Sequence, residues 1–522
     1  MNLQLQQAPT TRGYGQGIWA TAWGKEYAKG TIDVGRSTYE YYKRGPLDVF
    51  NSTLLDVILI RQEYRLAHDS LQRVAQRRSP LGRVARFIIT GQPGIGKTVF
   101  LIYLLIERLQ RKQPTALQTG NAEFLLFDKD GVRQFSTTAR NHQEIPPDAW
   151  ALSACIDPID AYKPCEAFLE SKAFVVHATS PRSSNWKHWK KQSSARIYVM
   201  DVWPKGEMEA LLSLLKLDVS DGIRLARKWG PCTKTVLDIL SNTMTEERHI
   251  REVAAAASDI AQDVVQSFRA IELLDFSGPN VALSSIFFVR PIYSGRDSSV
   301  VFIPTLDIAK VFSQALIYAS HATQNMVLTR MSRHASLRTA ADWIFENFMH
   351  ARLSASSKPI QAFDCNGVSH ELPSASSIHP VFSESLSSTV LPFYWRPSAS
   401  EVPGIDAVIC DHNGVYALQA STTSTPKHAD ASTGLQKIYD GLHPTMRQKP
   451  MHLVFVSPSS ETANVILKRC TLANQWNHVE VWACELVIGA EYEAALLDVM
   501  NGARDVFATG DWVDDTPTSN GV

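Results

Sequence analysis

The chain has 522 residues, of which 44% are hydrophobic and 20% are charged, so intrinsic disorder over its whole length is excluded. At ~100–200 residues per domain, this length predicts three or four domains. Its 52 basic and 52 acidic residues cancel, which excludes a global field that attracts nucleic acid or an anionic membrane, so such a partner must meet a local patch.

No apolar run approaches the ~18 residues that span a bilayer. The first residues lack the charged and apolar regions of a signal peptide. Seven cysteines, none of them in a CxxC pair, argue against a disulfide framework or a structural zinc site. We therefore expect a soluble protein of the intracellular type, with no membrane partner.

In chain order, apolar runs, periodicity and Gly/Pro-rich breaks predict five segments. They are a loosely ordered leader with a helical region (1–80), an α/β domain with a mainly parallel sheet (81–240), a helical and mixed region that links two domains (241–335), a second α/β domain (336–495) and a flexible tail (496–522). The leader itself is expected to cover residues 1–50, and the Ser- and Pro-rich stretch 354–380 is expected to be a linker or extended loop.

The strongest motif is the sequence GQPGIGKT, which matches the phosphate-loop pattern GxxxxGK[ST] and lies between an apolar strand and a long helix. The glycines let successive backbone N–H groups surround phosphate oxygens, the lysine reaches the β- and γ-phosphates of ATP, and the threonine is a ligand of Mg²⁺. The predicted nucleotide-binding residues are Gly91, Gly94, Gly96, Lys97 and Thr98. The segment 81–240 is therefore predicted to be a P-loop NTPase domain.

A further acid should follow a later strand and hold Mg²⁺ through water, and two aspartates compete for this role. Asp157 follows the apolar run Trp150–Ile156, the second such run after the loop, and we favour it. Asp128 ends the first such run, and we interpret it as the acid of a DKDG turn. Neither aspartate is followed by a glutamate that could polarise water, so the sequence predicts nucleotide binding with slow hydrolysis.

Small polar residues and Arg182 follow the next apolar run, Phe174–Ala178, where a sensor of the γ-phosphate would lie. A strand cap and turn is the alternative. The segment 181–200 contains five cations and two tryptophans but no acid. Such a segment either stacks bases beside phosphate-binding cations or is simply a solvated face.

A β-hairpin is predicted around Asn413-Gly414, a favoured two-residue turn. With that turn, Asp406 lies opposite Ser421, and Gln419 points to the same face of the sheet. A carboxylate, an amide and a hydroxyl then converge at one end of the hairpin. The alternative is a plain hairpin with an aspartate at the edge of the core.

This convergence resembles the magnesium site of PD-(D/E)xK nucleases, which take Asp from one strand and Glu-x-Lys from the next. Here a glutamine and a serine replace the glutamate and lysine, and a lysine or histidine on the following loop would supply the missing charge. A glutamate on an earlier helix would be a third acid. The candidate catalytic residues are Asp406, Gln419, Ser421, Lys427, His428 and Glu346, with Mg²⁺ held by Asp406 and Gln419.

The order of the phosphate loop, the ALSACID strand, the ATSPR segment, the WGP turn and the D…QxS hairpin resembles the Crinkler family over about residues 54–486. Those proteins, like the related retrotransposon hot spot proteins, join a phosphate-loop ATPase to a restriction-endonuclease-like toxin domain. The resemblance implies that the family's acid, Gln-x-Thr/Ser pair and following histidine correspond to Asp406, Gln419, Ser421 and His428. It also implies an effector or toxin that acts on nucleic acid inside a cell, often in the nucleus.

We therefore expect an α/β protein that joins a P-loop NTPase domain to a restriction-endonuclease-like domain at 336–495. Its expected activity is ATP-gated, Mg²⁺-dependent cleavage of nucleic acid, with DNA favoured over RNA. Two other classes stay open: a switch that binds DNA or a partner without cutting, and an ATPase with an interaction domain. The start of the chain shows neither a signal peptide nor the N-terminal motif of secreted Crinklers, so action inside the producing cell and unconventional delivery to a host cell both stay open, as does a homo-oligomer.

Overall fold

The structure is a computed structural model that describes residues 11–43, 57–76, 86–154, 163–181, 195–274, 278–292, 295–356, 358–374, 378–379, 391–397, 402–423, 431–470, 472, 476 and 478–502. Within these residues the chain forms two compact units. The first unit contains the described residues up to Val253 together with Arg269–Thr305, and the second contains Ala254–Phe268 together with those from Leu306 onward. Among the described helices, none has the length and apolar character needed to cross a membrane.

The part of the chain that precedes residue 306 contains both helices and strands. The described α-helices there are α1 (Thr11–Ala22), α2 (Gln62–Gln76), α3 (Lys97–Gln110), α4 (Glu166–Glu170), α5 (Lys205–Leu214), α6 (Val219–Trp229), α7 (Thr233–Leu240), α8 (Glu246–Gln262) and α9 (Val264–Leu273). The described strands are β1 (Lys29–Val34), β2 (Ser37–Lys43), β3 (Val57–Leu59), β4 (Arg86–Gly91), β5 (Thr115–Gln118), β6 (Glu123–Asp128), β7 (Gly131–Ser136), β8 (Trp150–Ala154), β9 (Phe174–Ala178), β10 (Arg196–Met200), β11 (Phe288–Ile292) and β12 (Gly295–Phe302).

The larger sheet of the first unit has seven described strands in the order β10-β4-β9-β8-β5-β6-β7. The first five of these strands are parallel, whereas β6 and β7 add an antiparallel edge. β8 and β9 are buried at every residue, as expected for central strands of a parallel sheet that is covered on both faces. The prediction of an α/β fold with a mainly parallel sheet is confirmed.

The prediction of a loosely ordered leader is wrong for residues 11–43, which form α1, β1 and β2. β2 pairs with both β1 and β3 in an antiparallel sheet. Tyr42 is fully buried and its hydroxyl donates to Glu107 of α3, while the N–H of Tyr27 donates to Gln110 Oε1 at 2.8 Å. These partners are far apart in sequence, so local periodicity did not reveal them.

One carboxylate ties the start of α8 to the end of α6. Glu246 accepts hydrogen bonds from Arg224 Nη2 at 3.0 Å, Lys228 Nζ at 2.9 Å and Trp229 Nε1 at 3.0 Å. Partial burial would raise the pKa of Glu246, but these three donors outweigh burial and lower the pKa to about 2. The carboxylate is therefore charged over the whole neutral range and joins the two helices.

We expect Glu246→Gln to lower the melting temperature at neutral pH, because the amide lacks the charge that the three donors share. The loss is on the order of 1 kcal/mol, since the charged partners are partly exposed. A carboxyl with a depressed pKa stabilises the fold fully above its unfolded value of roughly 4.3 and ceases to do so as the pH falls through the folded value of about 2. The difference in melting temperature between wild type and variant should therefore shrink on acidification.

The control for this prediction is Glu252→Gln on the same helix, which removes an exposed partner of Arg248 and should leave the melting temperature nearly unchanged. Thermal unfolding of wild type and both variants between neutral pH and pH ~2 gives the comparison. Equal melting temperatures for wild type and Glu246→Gln at neutral pH would contradict the assigned role of this carboxylate.

The second unit is also mixed α/β. Its described α-helices from residue 306 onward are α10 (Leu306–Ile317), α11 (His321–Arg333), α12 (Arg338–Ala355), α13 (Ala431–Gly441), α14 (Ser460–Arg469) and α15 (Glu493–Asn501). Its described strands are β13 (Ile360–Asp364), β14 (Ser369–Leu372), β15 (Ile378–His379), β16 (Phe393–Trp395), β17 (Ala407–Cys410), β18 (Val415–Ala420), β19 (Met451–Ser457) and β20 (Glu480–Glu485).

These eight described strands form one sheet in the order β14-β13-β20-β19-β18-β17-β16-β15. β18, β19 and β20 are parallel, whereas β17 and β18 form an antiparallel hairpin. Apolar side chains of α13 and α14 pack on the face that carries Val408, Ala417, Leu453 and Phe455, which we call the core face. The predicted linker at 354–380 is wrong in part, because β13 and β14 pair within it and β13 also pairs with β20.

Candidate functional site

The phosphate loop joins the carboxyl end of β4 to the first turn of α3. Gly91, Gly94 and Gly96 have φ angles of 138°, 78° and 94°, in the region that favours glycine. A Cβ at Gly91 would lie 2.4 Å from the carbonyl oxygen of Met200, and a Cβ at Gly96 would lie 2.6 Å from Tyr64 Oη. Backbone conformation and close contacts thus both require glycine at these positions of the loop.

The lysine of the loop turns back onto the loop itself. Lys97 Nζ donates to the carbonyl oxygens of Gly91 at 2.9 Å and Gln92 at 2.8 Å. A phosphate oxygen is a stronger acceptor than a neutral carbonyl, so an incoming phosphate can take over this ammonium group. The next residue, Thr98, is exposed in the first turn of α3, where a metal ion can reach its hydroxyl.

Two buried threonine hydroxyls lie at the strand ends that flank the loop. Thr90 belongs to β4 and Thr179 follows β9; the two residues are 3% and 2% exposed, and neither Oγ1 has a hydrogen-bond partner among the described residues. The N–H of Thr179 donates to the carbonyl oxygen of Ile89 at 2.9 Å, which fixes it beside β4. An unpaired buried hydroxyl costs about 1–3 kcal/mol. The pair therefore fits a site that holds a polar ligand or water beside the loop.

Asp128 is the last residue of β6, and its carboxylate bonds to the turn that follows. Its Oδ1 accepts the N–H of Asp130 at 2.9 Å, and its Oδ2 pairs with Arg133 at 2.6 Å. β9, β8 and β5 separate its strand, β6, from β4.

The sequence analysis missed β5 (Thr115–Gln118), which is the first strand after the loop. β8, the strand that precedes Asp157, is separated from β4 by β9 alone.

Four predicted site residues lie outside the described part of the chain: Asp157, Arg182, Lys427 and His428. The same holds for residues 182–194 of the predicted basic segment. β8 ends at Ala154 and β9 at Ala178, so the described chain stops shortly after each of these strands. The roles of the four residues as a metal-holding acid, a sensor of the γ-phosphate and substitutes for the missing lysine stay predictions.

The hairpin that carries the second site has a longer turn than predicted. Cys410 pairs with Val415, so residues 411–414 form the loop and the register differs by two residues from that of an Asn413-Gly414 turn. The Asp411 carboxylate causes the difference, because its Oδ1 accepts the N–H groups of Asn413 and Gly414, both at 2.8 Å. The predicted pairing of Asp406 with Ser421 is therefore wrong.

Two predicted acids, Asp406 and Glu346, come together beside this hairpin. Asp406 Oδ2 accepts the N–H of Ala420 at 2.7 Å, and Glu346 lies on α12, which packs against β18. Burial and the negative charge of Glu346 raise the pKa of Asp406 to about 8. Both side chains nevertheless keep part of their surface exposed, so a small ligand can reach them.

A histidine that the sequence analysis missed holds the second of these acids. His350 is fully buried; its Nε2 lies 3.2 Å from Glu346 Oε1 and its Nδ1 lies 2.6 Å from Tyr394 Oη. Burial and the charge of Arg396 lower the pKa of His350 to about 4, so the neutral ring accepts from the tyrosine and donates to the carboxylate. Burial would raise the pKa of Glu346, but the donor from His350 lowers it below its usual range. The available signal was a glutamate and a histidine four residues apart on a predicted helix, a spacing that places them on one face.

Gln419 and Ser421 are not joined to this acid pair. Gln419 pairs with Phe455 and therefore points to the core face, whereas Tyr394 pairs with Ile409 on the opposite face. Asp406 lies near Tyr394 and Glu346. Its N–H donates to the carbonyl oxygen of Leu418, and Leu418 is also the partner of Ala407. Two successive residues, Asp406 and Ala407, therefore oppose the single residue Leu418. Such a bulge redirects a side chain. The buried hydroxyl of Ser421 donates to the carbonyl oxygen of Thr423 at 2.8 Å. The predicted shared face for Asp406 and Gln419 is wrong.

The acid pair suits magnesium better than it suits zinc. No group of three or more His, Cys, Asp or Glu side chains that could hold a metal ion occurs within the described ranges. Magnesium is usually held by one or two carboxylates, while water and substrate phosphates fill its other positions. The residues that would hold Mg²⁺ here are therefore Asp406 and Glu346, rather than the predicted pair of Asp406 and Gln419.

Comparisons with known proteins find similarity over part of the chain. No family model matches the chain. Over 140 residues the chain is 30% identical to Crinkler effector protein 15 and, equally, to Crinkler effector protein 16 of Phytophthora infestans. Each match covers 25% of this chain, and the chain spans 21% of the length of these curated relatives. Among solved structures, AMPPCP-bound DnaA from Aquifex aeolicus matches with 9% identity and a TM-score of 0.26, covering 56% of this chain and 92% of that one.

Proposed function

We propose that this protein is a Crinkler-like effector whose first unit binds ATP and whose second unit cleaves nucleic acid under the control of the bound nucleotide. The observation that carries the proposal is the loop at residues 91–98, where three positive-φ glycines and Lys97 follow a buried parallel strand. The partial similarity to Crinkler effectors supports the same class.

In the first unit, each group of the loop has a role toward ATP. Lys97 would leave its two carbonyl partners for the β- and γ-phosphates, while Thr98 and Asp157 would hold Mg²⁺, which screens the phosphate charge. The hydroxyls of Thr90 and Thr179, which have no hydrogen-bond partner within the described part of the chain, would bond to a phosphate oxygen or to the attacking water. We expect slow hydrolysis, because no glutamate follows Asp157 to polarise that water.

Calorimetric titration of the full chain with ATP, ADP and AMP in the presence of Mg²⁺ tests the nucleotide part. ATP and ADP should bind, and AMP should bind far more weakly, since it lacks the phosphates that the loop surrounds. Equal affinity for all three nucleotides, or no binding by the folded chain, would contradict the assignment of residues 91–98 as the nucleotide site.

In the second unit, the acid pair supports metal-dependent cleavage of nucleic acid as a second candidate activity. Asp406 and Glu346 would hold Mg²⁺, which supplies an activated water and stabilises charge on the scissile phosphate. His350 and Tyr394 act through Glu346. The neutral imidazole of His350, which accepts from Tyr394, donates to the Glu346 carboxylate, orients it and keeps it ionised. Lys427 and His428 would supply a positive charge or a proton.

Expression in cells tests this second candidate activity. Nucleic acid is present in every cell, so an active nuclease should inhibit growth and shorten the cellular DNA or RNA of the producing strain. Wild type should do so more strongly than a variant that lacks Asp406. Growth inhibition with intact nucleic acid would favour the alternative, a switch that binds DNA or a partner without cutting it.

A further inference from the structure

Groups from three other segments of the first unit donate hydrogen bonds to the outer side of the phosphate loop. Four successive carbonyl groups, those of residues 93–96, each accept a hydrogen bond from outside the loop. The donors and distances are Cys232 Sγ to Pro93 O at 3.3 Å, Lys234 N to Gly94 O at 3.2 Å, Arg61 Nη1 and Trp203 Nε1 to Ile95 O at 3.2 and 2.9 Å, and Tyr64 Oη to Gly96 O at 2.9 Å.

These outward bonds fix the direction of the inner groups. In a planar trans peptide the C=O and the following N–H point in opposite directions. Each carbonyl that is bonded on the outside therefore turns the N–H of the next residue, from Gly94 to Lys97, toward the inside of the loop. Inward N–H groups in succession are what an anion-binding concavity needs.

The two side chains that donate to Ile95 are themselves held by further contacts. Arg61, which precedes α2, is fully buried; its Nε pairs with Glu207 of α5 at 2.7 Å, and its Nη2 donates to the carbonyl oxygens of Asp201 and Val202 at 3.3 and 3.0 Å. Its guanidinium also stacks over Trp203, at 4.2 Å from the ring centroid. The donors at Ile95 are thus fixed before any phosphate arrives, so the loop need not organise itself on binding.

The third segment that donates hydrogen bonds to the loop lies at the start of α7. Cys232 and Lys234 follow Gly230, which has a φ of 90° and ends α6. A Cβ at Gly94 would lie 2.8 Å from both Cys232 Sγ and Lys234 Cβ, so this turn packs directly against the loop. The WGP sequence therefore positions a helix start behind the loop.

We propose that Arg61, Tyr64, Trp203, Cys232 and Lys234, which we call the collar, are positioning residues that hold the loop in its phosphate-binding shape. The inference rests on the proposed ATP function and adds the residues that prepare its anion site. The collar acts on the part of the loop that surrounds the β-phosphate, which ATP and ADP share. It should therefore contribute equally to the binding of both nucleotides.

The test removes two neutral donors in the double variant Tyr64→Phe/Trp203→Phe. The change keeps the phenyl ring of residue 64 and replaces the indole of residue 203 by a smaller aromatic ring. At about fivefold per hydrogen bond, the loss of both donors should lower the affinities for ATP and ADP by about 25-fold, and by the same factor for both nucleotides. The matched control is Tyr42→Phe, which loses a buried tyrosine hydrogen bond to Glu107 on the far part of α3 and should bind both nucleotides like wild type. Calorimetry gives the affinities, and thermal unfolding without nucleotide gives the stability of each variant.

Equal losses for ATP and ADP, with a melting temperature no lower than that of Tyr42→Phe, would support the collar. Unchanged affinities in a folded double variant would overturn it, and so would a loss for ATP alone, which places the effect at the γ-phosphate. Should the double variant fail to fold, Tyr64→Phe alone decides by the same criteria. Absence of ATP binding by wild type would instead overturn the proposed function, so the two failures are distinguishable.

Discussion

Lys97→Ala should abolish ATP binding, with at least a hundredfold loss of affinity. The ammonium group already lies at the loop, bonded to the carbonyl oxygens of Gly91 and Gln92, and phosphate oxygens would replace both partners. Charge-assisted hydrogen bonds are worth about 1.5–3 kcal/mol each, so the loss of two of them exceeds a factor of 100. Calorimetric titration with ATP measures the effect.

The matched control for this variant is Lys205→Ala. That lysine pairs with Glu209 on the surface of α5 at 3.7 Å, so its removal changes the net charge equally without touching the loop. Lys205→Ala should bind ATP like wild type. Unchanged ATP affinity in a folded Lys97→Ala chain would show that the nucleotide lies elsewhere or that none binds.

Asp406→Asn should reduce cleavage of nucleic acid by orders of magnitude and leave the fold intact. The amide oxygen can still accept the N–H of Ala420, so the local backbone keeps its hydrogen bond. Mg²⁺ would displace the proton of the Asp406 carboxyl, whose pKa is about 8, but an amide cannot ionise. A site with only the Glu346 carboxylate should therefore retain the ion poorly. Cleavage rates of wild type and variant on the same substrate, with Mg²⁺ and ATP present, give the comparison.

Asp440→Asn is the control for this variant, since Asp440 is an exposed residue of α13 that accepts a hydrogen bond from Gln436 at 2.9 Å. It should cleave at the rate of wild type. Cleavage by Asp406→Asn at the rate of wild type would show that the acid pair is not the active site. Asp406→Asn tests the acid pair alone, because it leaves the phosphate loop unchanged.

The conformation of the loop at residues 91–98 could be predicted from the sequence because its requirements are local. Eight consecutive residues contain the three glycines and the lysine, and the positive φ angles follow from their spacing. The collar could not be predicted in this way. Arg61 and Trp203 are separated from Ile95 by 34 and 108 residues, and only the folded chain brings them to one carbonyl group.

The second site shows the limit of pairing arguments. The hairpin itself was predicted correctly, but the carboxylate of Asp411 lengthens its turn and shifts the register. A bulge then moves Asp406 away from the face of Gln419 and toward Glu346. A side chain that closes a turn competes with the usual two-residue turn, and sequence alone does not decide between them.

The most direct test of the whole account is incubation of the purified full chain with mixed DNA and RNA in four conditions, with and without Mg²⁺ and with and without ATP. The account predicts that cleavage requires Mg²⁺, that ATP changes its rate, and that DNA is cut in preference to RNA. Intact DNA and RNA in all four conditions, from a chain that binds ATP, would contradict the nuclease and favour a nucleotide switch that binds its target without cutting.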